Sequence, residues 1–208
     1  GMWFFYQGDE TVNMEAKIAR DILPGGNKAV ILLADGEKVD VEWLADTSRY
    51  KVDGIEVATA EGKIRYVGDE QRTEVKYNTI MIPRGGEYQV ELSDGTKVWL
   101  NAETQLRVPT TFVGAERRVR LKGEAYFDVV HDEKAPFIVK TSRSTITVLG
   151  TEFGVRDYEG KANLTTLVQG RVAVCDSMNK SYVIYPGQQV IIDERGTTVE
   201  DVETAYFT

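Results

Sequence analysis

Apolar and polar residues alternate with a period of two through most of this chain. In Tyr88-Gln89-Val90-Glu91-Leu92 the side chains of 88, 90 and 92 fall on one face and those of 89 and 91 on the other, the pattern of a half-buried antiparallel strand. Comparable runs predict strands over 30–33, 38–41, 55–60, 63–67, 73–82, 88–92 and 97–100. Further strands are expected over 118–122, 125–130, 137–140, 145–149, 153–157, 164–168, 171–174, 182–185, 190–192 and 197–202. A short helix is expected over 14–22.

Asp35-Gly36 and Asp94-Gly95 each separate two such runs and supply the positive φ angles of a tight hairpin turn. Glu61-Gly62 separates another pair. The two Asp-Gly hairpins belong to an ungapped repeat: Pro24-Gly25-Gly26 through Asp35-Gly36-Glu37-Lys38-Val39 matches Pro83-Arg84-Gly85 through Asp94-Gly95-Thr96-Lys97-Val98. Two copies do not make a solenoid, so the repeat reads as two equivalent corner-and-hairpin elements. Turn residues return about every 8 to 12 positions, the spacing of a sandwich or barrel rather than of βαβ units. The expected fold is therefore all-β: an antiparallel β-sandwich, jelly-roll-like, with a smaller N-terminal hairpin sheet. The polar run Asp69-Glu70-Gln71-Arg72-Thr73-Glu74 is placed to join the smaller part to the larger.

Composition narrows the chemistry. The chain has 208 residues, with 25 Lys and Arg against 33 Asp and Glu, a formal charge of −8. Its global field opposes phosphate backbones and anionic bilayers, which leaves only a local basic patch for such contacts. A single Cys, Cys175, rules out an intramolecular disulfide, and with one His, His131, there are too few ligands for a Cys/His zinc site. Cysteine usage leaves the compartment open. The aromatic cluster Met2-Trp3-Phe4-Phe5-Tyr6 fits either a strand packed on the body or the trailing edge of a membrane anchor.

Catalytic patterns are sparse. His131 lies in a polar turn and no G-x-S-x-G elbow is present; Cys175 reads as part of a buried strand end, where a free thiol behaves as a small hydrophobe. Ser177-Met178-Asn179-Lys180 has the S-x-x-K spacing of penicillin-binding enzymes, but at an expected hairpin tip rather than a helix start. Metal-dependent cupin chemistry needs several histidines, and phosphate-cradling glycine loops are missing. Glu124, Tyr126 and Asp128 alternate onto one strand face, opposite Ala125, Phe127 and Val129. That row fits a pair of glycosidase carboxylates, and equally the polar side of an ordinary half-buried strand. Trp43, Trp99 and the tyrosines offer an aromatic platform for sugar; Trp99 faces away from Val98 and Leu100, toward solvent or a second interface. Asn163-Leu164-Thr165 and Asn179-Lys180-Ser181 fit the glycosylation pattern, which is uninformative without a secretory context.

From Pro83 to Gln188 the order of motifs resembles the FecR family of bacterial transmembrane anti-sigma regulators. The residues that carry it are Pro83-Arg84-Gly85-Gly86, Leu92-Ser93-Asp94-Gly95-Thr96-Lys97-Val98-Trp99-Leu100-Asn101, Arg117-Arg118-Val119 and Leu121-Lys122-Gly123-Glu124-Ala125-Tyr126-Phe127-Asp128-Val129. They continue in Pro136-Phe137-Ile138-Val139, Val148-Leu149-Gly150-Thr151-Glu152-Phe153, Gln169-Gly170-Arg171-Val172 and Tyr185-Pro186-Gly187-Gln188. The upstream Ile22-Leu23-Pro24-Gly25-Gly26 segment looks like an extended form of the same region. Within this set Gly85, Asp94, Gly95, Gly123, Glu124, Phe127, Pro136, Gly150, Thr151, Phe153, Gly170, Pro186 and Gly187 are expected to shape the fold rather than to react.

The resemblance implies a membrane-proximal segment over 1–20, an N-terminal β extension over 21–75, a FecR-like β domain over 76–203 and a linker over 204–208 to a further C-terminal domain. It implies a periplasmic region of a single-pass inner-membrane protein, with a cytosolic segment that holds an extracytoplasmic-function sigma factor. The signal would come from the signalling domain of an outer-membrane TonB-dependent transporter. No catalysis, cofactor, metal or nucleic acid is expected. The contrasting class is a carbohydrate-binding or glycoside-acting sandwich using Glu124, Asp128 and exposed tryptophans.

Overall fold

A computed structural model describes residues 29–41, 50–52, 55–60, 63–69, 71 and 73–203. The expected helix over 14–22, the aromatic cluster at 2–6, Trp43 and the segment 204–208 lie outside the described residues. The strands in chain order are β1 (Val30–Leu32), β2 (Lys38–Asp40), β3 (Tyr50–Val52), β4 (Ile55–Ala60), β5 (Lys63–Tyr66), β6 (Tyr77–Ile82), β7 (Tyr88–Glu91), β8 (Lys97–Leu100) and β9 (Thr104–Pro109). They continue with β10 (Arg117–Asp128), β11 (Phe137–Lys140), β12 (Ser144–Val148), β13 (Glu152–Asp157), β14 (Asn163–Gln169), β15 (Val172–Asp176), β16 (Ser181–Ile184), β17 (Gln188–Asp193) and β18 (Gly196–Asp201).

The all-β expectation holds. One sheet runs β2-β1-β6-β9-β10-β11-β12-β15-β16 and the other β3-β4-β5-β7-β8-β10-β13-β14-β17-β18. Pairings are antiparallel except β10 with β11 and β5 with β7. The Asp-Gly hairpins form as expected: β1 pairs with β2 around Asp35-Gly36, and β7 with β8 around Asp94-Gly95.

β10 belongs to both sheets. Its first half, through Lys122, pairs with β9 and β11; its second half, from Gly123, pairs with β8 and β13. The pattern predicts two strands here, 118–122 and 125–130, because a glycine interrupts the run. The chain instead stays extended and changes sheet at Gly123, whose φ is +107°. A Cβ on Gly123 would stand 2.5 Å from the Thr104 hydroxyl and 2.7 Å from its Cα, so both the dihedral and the close approach require glycine.

Alternation then decides what is buried. Along β10, Val119, Leu121, Ala125 and Phe127 turn inward while Arg118, Arg120 and Lys122 face solvent. Phe127 of the second sheet stacks on Phe153 with centroids 5.0 Å apart, and meets Phe137 of the first sheet at 6.2 Å. Val90 and Leu92 are buried, as the pattern at 88–92 predicts, and Tyr88 packs half-buried against the same cluster. One apolar cluster thus fills the space between the two sheets, each fully buried large side chain contributing about 1.5–3 kcal/mol by removal from water.

Candidate functional site

Part of the motif set meets around a buried cation where several inter-strand turns converge. Arg117 opens β10 with inward parity, so its guanidinium enters the space where the loops converge, with its side chain only 4% exposed. Nη1 donates to the Asp94 carboxylate at 2.8 Å and to the Val130 carbonyl at 2.7 Å. Nε donates to the Ala135 carbonyl at 2.7 Å and Nη2 to the Leu149 carbonyl at 3.1 Å. The Arg117 backbone N–H donates to the Pro136 carbonyl, and the Phe137 ring lies 5.4 Å from the guanidinium carbon. A cation taken out of water needs this many partners, and the fork geometry of guanidinium reaches several segments at once.

Asp94 is itself fixed from the hairpin side. It accepts from the Thr96 backbone N–H at 2.9 Å and from the Thr96 hydroxyl at 2.7 Å, while Gly95 donates its N–H to the Leu92 carbonyl. Gly150 lies under the 131 turn, where a Cβ would stand 2.6 Å from the His131 Cα. Gly170 lies against Gly150 and Thr151, and the Thr151 hydroxyl donates to the Arg171 carbonyl at 3.1 Å. Asp94, Gly95, Pro136, Gly150, Thr151 and Gly170 are thereby brought together. Gly85 is in a separate turn after β6, and Pro186-Gly187 forms the turn before β17, with Gly187 donating to the Leu167 carbonyl at 3.0 Å.

The second cluster lies on the outer face of the second sheet. Glu124, Tyr126 and Asp128 share that face, as alternation predicts. Glu124 is held through both oxygens, Oε1 by the Asn101 side-chain amide and Oε2 by Arg156 Nε. The Tyr126 hydroxyl donates to Glu152 at 2.9 Å. Burial, that hydrogen bond and the charges of Glu152 and Asp128 all push the Tyr126 phenol well above its ordinary range. Trp99 stands directly opposite Tyr126, with ring centroids 5.7 Å apart and tilted at 59°. Beside them a groove of about 490 Å³ is lined by Glu124, Arg156, Leu164, Thr166, Gln189 and Val202. Glu124 and Glu152 are engaged by internal partners, and the two aromatic rings pack on one another rather than line the groove.

The remaining sequence candidates are dispersed. His131 is exposed, 3.6 Å from Glu133. Cys175 is half-buried with outward parity between buried Val174 and Asp176, not in the interior that its apolar neighbour suggests, because alternation turns every second residue of β15 away from the core. Ser177-Met178-Asn179-Lys180 is the hairpin tip between β15 and β16. Asp176 closes it, accepting from the Met178 and Lys180 N–H groups and from the Thr197 hydroxyl. The Lys180 amide first, then Thr197, hold its carboxyl below the ordinary range. Among the described residues no group of three or more His, Cys, Asp or Glu is placed to hold a metal ion. No described helix is long and apolar enough to cross a membrane.

Two polar features escape a reading of the pattern. Arg117 was legible as part of a motif but not as a knot, although its parity on the strand is the signal that it points inward. The other is Asp157, 7% exposed, which accepts from the Ser142 backbone N–H and hydroxyl and from the Asn163 amide, fixing the turn between β11 and β12.

Comparison with known proteins gives the site its context. No curated protein matches the chain. Two crystal structures of a candidate anti-sigma factor from Parabacteroides distasonis share this fold at 35% identity. The structure at 2.50 Å resolution superposes with a TM-score of 0.59 over 61% of this chain and 61% of that one. The structure at 1.65 Å gives 0.58 over 60% of each. The chain therefore matches about three fifths of the length of those relatives. The model of the family described as FecR protein matches residues 78–173, the span that runs from β6 through the sheet switch and the Arg117 knot to β15. Sequence and fold agree: residues 78–173 match the FecR family, and the chain shares its fold with candidate anti-sigma factors.

Proposed function

We propose that this chain is the periplasmic, signal-receiving region of an inner-membrane anti-sigma regulator, and that it acts through protein contacts without catalysis. It passes a signal from the signalling domain of an outer-membrane TonB-dependent transporter to an extracytoplasmic-function sigma factor held by a cytosolic segment. The observation that carries this reading is the FecR match over 78–173, with relatives of the same fold that are candidate anti-sigma factors. The chemistry agrees with it: the residues of the motif set bind turns and sheets to one another, and Glu124 is neutralised by Arg156. We propose accordingly that the thirteen motif positions from Gly85 to Gly187 serve architecture, and that 76–203 forms the working body of the region.

The test is a sigma-dependent reporter in cells carrying the full-length regulator, together with capture of its periplasmic region by the transporter's signalling domain. Deletion of 76–203 should disconnect the reporter from the inducer. A reporter that still follows the inducer after that deletion overturns the reading. Polysaccharide binding abolished by Trp99→Ala would instead establish the carbohydrate class.

A further inference from the structure

The outer face of the first sheet carries a row of cations in a chain whose formal charge is −8. Arg107 of β9, Arg120 of β10 and Lys140 of β11 lie directly opposite one another on adjacent strands. Arg118 and Lys122 extend the same face of β10 in either direction. Arg118 is paired with Glu116 at 3.0 Å. Among the described residues, Arg107, Arg120 and Lys140 have no carboxylate within ion-pair range. Arg107 lies over the Tyr77 ring, 4.6 Å from its centroid. A recess of about 80 Å³ opens among Tyr77, Arg107, Arg118, Arg120 and Lys140, with room for a carboxylate group.

Like charges directly opposite one another across a sheet repel, and such neighbours have Cβ atoms only about 5 Å apart. Arg107 packs on Tyr77, but nothing in the fold asks for cations at the exposed positions 120 and 140, where any strand-forming polar residue would serve. An anion seated among them removes the repulsion, and guanidinium forks take carboxylates bidentately.

We propose that this face docks an acidic segment of a protein partner, with its carboxylates seated among Arg107, Arg120 and Lys140. The inference rests on the reading of the chain as a region that works through protein contacts. The scale of the row selects a short segment over an extended anionic surface. It spans two inter-strand gaps, roughly 10 Å, which is about one Debye length at physiological salt. A few carboxylates on one segment therefore sense the whole row while the negative charge elsewhere on the molecule is screened. A bilayer or a phosphodiester backbone would press against that negative charge as well.

The test is titration of the 208-residue chain with an oligoglutamate peptide, followed by amide chemical shifts, beside inorganic phosphate and phosphatidylglycerol vesicles. Saturable shifts confined to β9, β10 and β11 are expected, weakened about tenfold by Arg120→Glu or Lys140→Glu. Arg195→Glu makes the same charge change at the hairpin tip between β17 and β18 and should leave binding unchanged. A carboxylate at position 120 would face Arg107 and Lys140, so Arg120→Glu should melt no lower than the wild type, separating lost binding from lost fold. Equal weakening by Arg195→Glu, preference for phosphate or vesicles, or no saturable binding of the peptide would each overturn the proposal. In the full-length regulator, Arg120→Glu should blunt the reporter response. A normal response overturns the docking face and leaves the regulatory reading standing, whereas a reporter indifferent to deletion of 76–203 defeats the regulatory reading itself.

Discussion

Arg117 shows how one side chain can hold a set of turns that have no hydrophobic reason to meet. Its four polar links reach Asp94, Val130, Ala135 and Leu149, which belong to three different connections between strands. Truncation leaves the Asp94 carboxylate, 15% exposed, facing the vacated space without its cation. Removing one partner of a buried pair typically costs about 3–5 kcal/mol, so Arg117→Ala should lose stability on that scale in urea unfolding. Arg117→Lys should lose much of the same, because a single ammonium cannot replace the fork. A loss below about 1 kcal/mol, the value of an exposed pair, would mean that the loops are held by something else. The residue scale is also where the sequence was least explicit. Asp94-Gly95 announces its turn through local backbone demands, whereas its pairing with Arg117 spans 23 positions and depends on how the strands register.

At the scale of elements, legibility follows punctuation. Hairpins around Asp-Gly pairs were readable because the dihedral requirement is local. The strand β9 was not, since the turn that leads into it uses Glu103 at φ +56° instead of a glycine, and no turn signal marks its start. The opposite error occurs at Gly123, where a glycine that looks like a break is the point at which β10 crosses between sheets. This crossing is specified by two residues jointly: Gly123 permits the conformation, and the Thr104 hydroxyl accepts from the Glu124 N–H at 3.0 Å while donating to the Glu124 carbonyl at 3.2 Å. Gly123→Ala should therefore be far more damaging than a glycine change at an open turn. Strained backbone and overpacking each cost about 1–3 kcal/mol, and both apply here. Gly160→Ala, also at positive φ but with open space around its Cβ position, is the control. Equal melting temperatures for the two variants would show that the crossing does not depend on glycine.

For the whole molecule, the shared strand and the shared core make a statement about cooperativity that bears on the proposed relay. Phe127 sits in the half of β10 that pairs within the second sheet, yet it touches Phe153 of that sheet and Phe137 of the other. The likeness of residues 78–173 to the FecR family was legible because ordered turn motifs survive in sequence; the packing of the two sheets on one another was not, since contacts across the core leave no local trace. If the sheets are one body, a displacement imposed at the cationic face of the first reaches the far edge of the second without dissipating at a soft joint. Unfolding should then be all-or-none. With Trp3 and Trp43 replaced by Phe, Trp99 reports on the second sheet alone, while far-ultraviolet circular dichroism reports on both. The two transitions should coincide. In Phe127→Ala they should move together to lower denaturant, by a loss of about 3–5 kcal/mol. Separate transitions in which Trp99 loses its native signal while half the β signal persists would show two loosely joined sheets. A relay through such a body would have to proceed by local unfolding rather than by rigid displacement, a difference that follows directly from whether β10 is one strand or two.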